Sequence, residues 1–393
     1  MRHLSRLSPR LTGMAEGACA GHGDAELLAK DSARSGTERL PSLTGLRFVA
    51  AGGVVYTHSF LLMNPQTRTL GPDVWVGASS VSLFFILSGY VLTHSARPTD
   101  TARAFWRRRA TKIFPNHALT WCAVMAALAT AGVAASVSGS GLVANLSSLF
   151  LVNTWVPSPS FVSAGNPVSW SLAAETFFYL LFPVLLPWVQ RLSRRGLLVG
   201  AGAAVAVTWA WPAVCEFAVD PGGSSFSGYW FLYVLPVTRL PEFILGMMAA
   251  RIPAAGIRLP RIGAVPAGLG VISTVIVSSR YLPQSFMYAA ATVVPLVLLV
   301  HATAELDRRG RASLLRTSPA VFLGEISYAM YLVHSLTLGL VFLTLKGQGW
   351  NGVPIVLVAL PLVLLASWLL YVGVERPCVR RFSTPRARVV AAS

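Results

Sequence analysis

Apolar runs recur along this chain from Leu43 to Val374, each near the ~20 residues that carry a helix across a bilayer. They leave no stretch long enough for a large soluble domain. Composition agrees, since 54% of the 393 residues are hydrophobic and only 12% are charged, against about 25% charged in ordinary soluble chains. The chain therefore reads as an all-α polytopic membrane protein. About ten spans are expected: Leu43–Met63, Val74–His94, Ile113–Ala134, Ser169–Val189, Leu197–Cys215, Tyr229–Ala250, Ile262–Arg280, Ser285–Thr303, Ala320–Leu345 and Val353–Gly373.

The net charge of +17 sits in short segments between the apolar runs, as in Arg107–Lys112, Arg191–Arg195 and Arg308–Arg316. That is the pattern of the positive-inside rule, not the basic face of a soluble nucleic-acid module. With the N-terminus in the cytoplasm, the basic loops alternate correctly only if Leu142–Val156 does not cross. That segment is then re-entrant or interfacial, and both termini are cytoplasmic. Residues 1–40 are polar and lack the apolar stretch of a signal peptide, so they read as a disordered tail. A transmembrane domain over 41–378 and a basic tail over 379–393 complete the division. Four scattered cysteines show neither metal-ligand spacing nor a disulfide framework.

Ionisable residues at membrane depth are expensive and so mark candidate sites. In "LTGLRFVAAGGVVYTHSF" Arg47 and His58 are eleven steps apart. At ~100° per residue they return to one helix face, about 16 Å apart along the axis. Arg47 falls at the cytoplasmic edge and His58 beyond mid-membrane. An interfacial anchor plus a packing histidine is the plainer account. Between them Ala50, Ala51, Gly52 and Gly53 suit either close packing or a narrow tunnel. "RRRATKIFP" puts Arg109 and Lys112 on one face at i, i+3, where they suit a phosphate-bearing ligand from the cytosol, or simply lipid headgroups.

"NPVSWSLAAETFFYLLFP" places Glu175 inside the fourth span, one turn after Trp170 and Ser171. A carboxylate there needs a cation, hydrogen bonds or a proton, and His58 lies at a depth where the two could meet. Arg239 and Glu242 in "RLPEF" are spaced for a structural ion pair. "GEISYAMYLVHSL" carries Tyr328, Tyr331 and His334; His334 reads equally as a second site histidine or a helix-packing hydrogen bonder. No GxSxG elbow, HExxH or P-loop is present, and Ser88 before Gly89 lacks an elbow context. Carboxylates are too few for a two-metal site, and no metal is expected.

Seven motifs in order resemble one family: "GLR" with His58 beyond it, "FFILSGYVLT", "RRRATKIFP", "WSLAAETFFYLLFP", "RLPEFILGM", "GEISYAMYLVH" and "VERP". Together they look like the acyltransferase-3 family of integral-membrane O-acyltransferases, over nearly the whole chain from Leu40 to Arg381. The resemblance implies that His58 is essential to acyl transfer and that Glu175 occupies the family's acidic position. It also implies acyl-CoA as co-substrate, held by Arg47, Arg109 and Lys112, with no bound cofactor. Lys112 stands where the family has a second arginine, which keeps the charge and loses the planar fork. Trp170, Ser171, Tyr328, Tyr331 and His334 would form the substrate pocket.

On this reading His58 is a general base and Glu175 orients it as a triad acid does; an acyl-histidine route is the alternative. The partners are acyl-CoA, a small-molecule hydroxyl acceptor and the bilayer, without nucleic acid. Within the family the chain resembles actinomycete enzymes that acylate macrolide antibiotics, with envelope-sugar acetylation as the alternative. Intramembrane charge also suits a transporter, although the inverted repeat usual for one is not apparent.

Overall fold

The computed structural model describes residues 39–65, 71–97, 99–130, 139–221, 225–259 and 261–383. Of the expected tails, residues 1–38 and 384–393 lie outside these residues, and the start of the C-terminal one continues the helix Arg376–Phe382. Among the described residues the regular structure is entirely helical, and ten helices are long and apolar enough to cross a membrane. The main elements are α1 (Pro41–Met63), α2 (Pro72–His94), α3 (Ala102–Thr130), α4 (Gly139–Leu149), α5 (Ser169–Arg191), α6 (Arg194–Val214), α7 (Pro236–Arg251), α8 (Ala264–Tyr281), α9 (Ala290–Arg308), α10 (Ser318–Glu325), α11 (Ser327–Gly347) and α12 (Val353–Leu370).

Three boundaries differ from the sequence expectation. Helix α3 begins at Ala102, well before Ile113, so the arginine run lies inside the helix rather than ahead of it. Arg, Ala and Lys are good helix formers, and their long stems keep the charged heads near the membrane edge. The expected ninth span divides at Ile326 into α10 and α11, with the Ser327 hydroxyl donating to the Gly324 carbonyl at 2.7 Å. Finally, α12 runs through a π-helical turn, Tyr371–Glu375, into Arg376–Phe382. Helix α4 has 11 residues, hence about 16 Å of length, too little to span.

Helix α2 is the centre of the bundle: 72% of its apolar window is buried, against 11% for α8 at the periphery. Val265, Leu269, Ile272 and Ile276 of α8 form an exposed stripe at helical spacing, suited to lipid. Glycines set the closest helix contacts. A Cβ on Gly89 of α2 would lie 2.0 Å from the Phe243 carbonyl oxygen of α7, and one on Gly246 of α7 2.1 Å from that of Ile86. Gly324 of α10 meets the Thr44 carbonyl of α1 in the same way, at 1.9 Å. Small residues let membrane helices approach to van der Waals contact without a hydrophobic driving force.

The small residues between Arg47 and His58 divide between two uses. Ala50 and Ala51 are buried, and a Cβ on Gly53 would lie 2.2 Å from Ser80 Oγ, so these three serve packing. Gly52 has open space beside it and borders an apolar cavity of about 410 Å³ shared with α12.

Candidate active site

His58 on α1 and His334 on α11 meet with ring centroids 5.0 Å apart and planes 10° from parallel. His58 Nδ1 lies 2.7 Å from His334 Nε2. His334 Nδ1 in turn lies 2.7 Å from the Tyr331 carbonyl oxygen and 3.2 Å from that of Met330. A carbonyl only accepts, so His334 Nδ1 carries the proton. With both rings neutral, His334 Nε2 is then the acceptor and His58 Nδ1 the donor. The chain of bonds leaves His58 Nε2 with an unshared lone pair. His334 is fully buried, whereas His58 borders a cavity of about 260 Å³ walled by Trp75, Trp170, Tyr229, Tyr233, Tyr288 and Tyr331.

A second cavity, about 40 Å³, lies toward Arg47 and is lined by Phe84, Phe85, Ser171, Leu172, Glu175, Tyr328 and Tyr331, with Val81 common to both cavities. Here the structure corrects the expected partnership of Glu175 with His58. Glu175 accepts from the hydroxyls of Ser88 and Tyr179, and the position a triad acid would take beside His58 belongs to His334. Depth along α5 allowed the meeting; the rotation of α5 turns Glu175 toward α2 instead. Ser171 Oγ and Tyr331 OH are 2.6 Å apart, and Tyr328 donates to the Ile113 carbonyl at 2.9 Å. Of the five expected pocket residues, Trp170 and Tyr331 border the His58 cavity. Ser171, Tyr328 and again Tyr331 border the Arg47 cavity. His334 stands behind His58.

Arg47, Arg109, Glu175 and Glu375 all lie close enough to act electrostatically on Lys112. The Nε atoms of Arg47 and Arg109 are buried with no hydrogen-bond partner among the described residues, although the Arg109 guanidinium sits 5.9 Å from the ring centres of Phe105 and Tyr179. Lys112 Nζ is 3.8 Å from Glu375 Oε1, and Asn116 Nδ2 donates to Glu375 Oε2 at 2.8 Å. The cationic mouth is thus partly neutralised and keeps unused donors, an arrangement suited to an incoming anion. Arg239 Nε and Glu242 Oε2 pair at 2.6 Å in full burial, and the guanidinium also donates to Ser82 Oγ and the Tyr288 carbonyl. Glu242 Oε1 has no hydrogen-bond partner among the described residues, and neither Arg239 nor Glu242 lines either cavity, although Tyr288 walls the His58 one.

Sequence reasoning missed Val81, Ser88, Asn116, Tyr179 and Glu375 as site residues. Glu375 did carry a signal, as a carboxylate ending an apolar run. Ser88 carried little, because a lone serine in a membrane helix usually bonds its own backbone.

The fold and site together define a helical membrane protein with a hydrogen-bonded histidine pair beside an aromatic chamber and a cluster of cations around Arg47. The acyltransferase domain family matches residues 40–372, and the chain belongs to that family, acyltransferase-3; it is a membrane O-acyltransferase. It is 35% identical over 370 residues to the acyltransferase MdmB of Streptomyces mycarofaciens, covering 87% of this chain and 92% of that one. The exopolysaccharide production protein ExoZ of Rhizobium meliloti is 28% identical over 84% of this chain and 98% of its own. The O-acetyltransferase OatA of Staphylococcus aureus is 24% identical over 75% of this chain and 50% of its own. No solved structure matches.

Proposed function

We propose that the protein transfers a short acyl group, such as acetyl or propionyl, from acyl-CoA to a hydroxyl of a secondary metabolite. A macrolide lactone or its sugar is the favoured acceptor. The observation that carries the chemistry is the free lone pair of His58 Nε2, fixed by the bond to His334. The acceptor preference comes from the resemblance to actinomycete macrolide acyltransferases, and the 35% identity to an acyltransferase of Streptomyces mycarofaciens supports it.

In this scheme the phosphates of the donor rest against Arg47, Arg109 and Lys112, and the pantetheine arm runs inward past Glu175 to His58. The acceptor hydroxyl binds in the aromatic chamber and gives its proton to His58 Nε2 as its oxygen attacks the thioester carbonyl. The resulting imidazolium keeps its Nδ1 bond to His334. Collapse of the tetrahedral adduct breaks the carbon–sulfur bond, and the CoA thiolate takes the proton back from Nε2. One ester forms, one thioester is lost, and the base returns to its starting state. A direct transfer of this kind leaves no acyl group on the wild-type protein in rapid-quench trapping, whereas an acyl-histidine route does.

The topology follows the charge pattern: both termini in the cytoplasm, the cationic mouth on that side, and Leu142–Val156 re-entrant or interfacial. The expected tails and the domain over 41–378 belong to the same proposal.

Membranes carrying the protein, supplied with labelled acyl-CoA and a macrolide alcohol, should yield labelled ester, and His58→Ala should abolish it. Transfer at the wild-type rate by His58→Ala overturns the assignment. A second reading, O-acetylation of an envelope or exopolysaccharide sugar, is favoured by the near full-length similarity to ExoZ. Mass spectrometry of metabolites and polysaccharide with and without the gene separates the two by the fraction that carries the mass shift.

A further inference from the structure

Four helices line one axial track through the two cavities. On α2 the lining residues descend from Val74 and Ala78 through Val81 to Phe84 and Phe85, and Ser88 follows as a partner of Glu175. On α11 they are Tyr331 and, one turn below, Tyr328, with His334 one turn above Tyr331 behind His58. Helix α1 supplies His58 and Val54 above and Arg47 below, and α5 supplies Trp170 above with Ser171 and Glu175 below. Val81 and Tyr331 alone border both cavities. Val81 lies in the middle turn of the α2 stripe and Tyr331 at the upper end of the α11 one, and by bordering both cavities they mark where the two adjoin. Both are buried, and neither is loose. Tyr331 is held through its hydroxyl by Ser171 at 2.6 Å and the Val168 carbonyl at 3.2 Å, with Phe84 packed edge-on at 5.9 Å. Val81 sits on the central helix, whose backbone is locked to α7 by Gly89 and Gly246.

We infer that Val81 and Tyr331 form a neck that selects the donor by the width of its acyl group, not by its length. The inference rests on the proposed route of acyl-CoA from Arg47 to His58. A straight acyl chain is no wider than the unbranched thioethylamine arm that follows it, so any neck passing the arm passes the chain. A methyl branch beside the carbonyl widens the leading group and must displace Val81 or Tyr331. Val81 therefore determines specificity against branched donors, while chain length is limited only by the chamber beyond.

The isomers butanoyl-CoA and isobutanoyl-CoA contain the same atoms and test the point directly. The wild type should favour butanoyl in kcat/KM. Val81→Ala, which removes two methyl groups from the neck, should raise the isobutanoyl-to-butanoyl ratio about tenfold, within the range for one or two carbons in an apolar site. The butanoyl-to-acetyl ratio should stay unchanged. An unchanged isomer ratio, or an equal rise for both isomers, overturns the neck.

If the wild type transfers from no acyl-CoA, the proposed function has failed, and a second measurement still decides the neck. In a chain with its four cysteines replaced by serine, His58→Cys is treated with n-propyl and isopropyl methanethiosulfonate. Slower isopropyl modification, accelerated selectively by Val81→Ala, supports the neck. Equal rates with Val81 in place overturn it.

Discussion

His334 reaches His58 through Nε2 at 2.7 Å and spends its other nitrogen on the Tyr331 carbonyl. One histidine thereby sets the tautomer of another without contributing a charge. A carboxylate in that position would stabilise the imidazolium more strongly. In the proposed scheme a neutral ring orients the base and avoids placing a second charge at membrane depth.

His334→Phe should keep the bulk of the ring and lose the acceptor. The kcat is expected to fall about 10²-fold or more, at the low end of what a positioned acid–base group contributes, with KM for acyl-CoA little changed. His334→Gln retains an acceptor and should recover part of the loss. Steady-state kinetics on the purified variants give both numbers, and a rise in KM with constant kcat would contradict the orienting role.

Glu175→Gln makes the opposite prediction. Its carboxylate bonds Ser88 and Tyr179 and borders the Arg47 cavity. The substitution should act mainly through KM for acyl-CoA, with kcat at saturating donor much less affected. A kcat loss matching that of His334→Phe would return Glu175 to the role of orienting acid.

At the mouth, Lys112→Glu should raise KM for acyl-CoA steeply, because it places a like charge beside Glu375 and opposes the donor phosphates. Lys112→Arg should leave KM no higher than the wild type, since it restores a fork suited to phosphate. Initial rates over a donor titration decide between them.

Arg239→Ala should destabilise the fold by about 3–5 kcal/mol, the usual cost of leaving a buried partner charge unpaired. Glu242 has no exposure through which to recover solvation. The double variant Arg239→Met, Glu242→Leu should be markedly more stable than the single one. Thermal unfolding in detergent provides the comparison.

Gly89→Ala is expected to cost at least about 1–3 kcal/mol, the typical penalty for overpacking. The added carbon would meet backbone rather than a movable side chain, with the Phe243 carbonyl oxygen 2.0 Å away. Gly52→Ala, in open space, should be nearly neutral in the same assay.

The spans were legible because lipid imposes a length and a polarity that a sequence cannot hide. The eleven-residue interval between Arg47 and His58 likewise fixed their shared face, and both residues border the track. What the sequence could not supply was helix rotation against neighbours. Glu175 and His58 could meet by depth alone, yet α5 turns Glu175 toward Ser88. His334 is 276 residues from His58, and no local pattern reports a contact of that separation. The break at Ile326 and the π-helical turn at Tyr371–Glu375 leave no propensity signature in the sequence.

The glycine contacts between α2 and α7 have a consequence for how such a protein diversifies. Its frame is fastened through main-chain atoms at Gly89 and Gly246, away from the side chains that wall the chambers. Replacing Trp75, Tyr233 or Tyr288 reshapes the chamber without touching the fastening. On the proposed reading, a change of acceptor can accumulate by wall substitutions while the main-chain contacts that hold α2 and α7 in register stay in place.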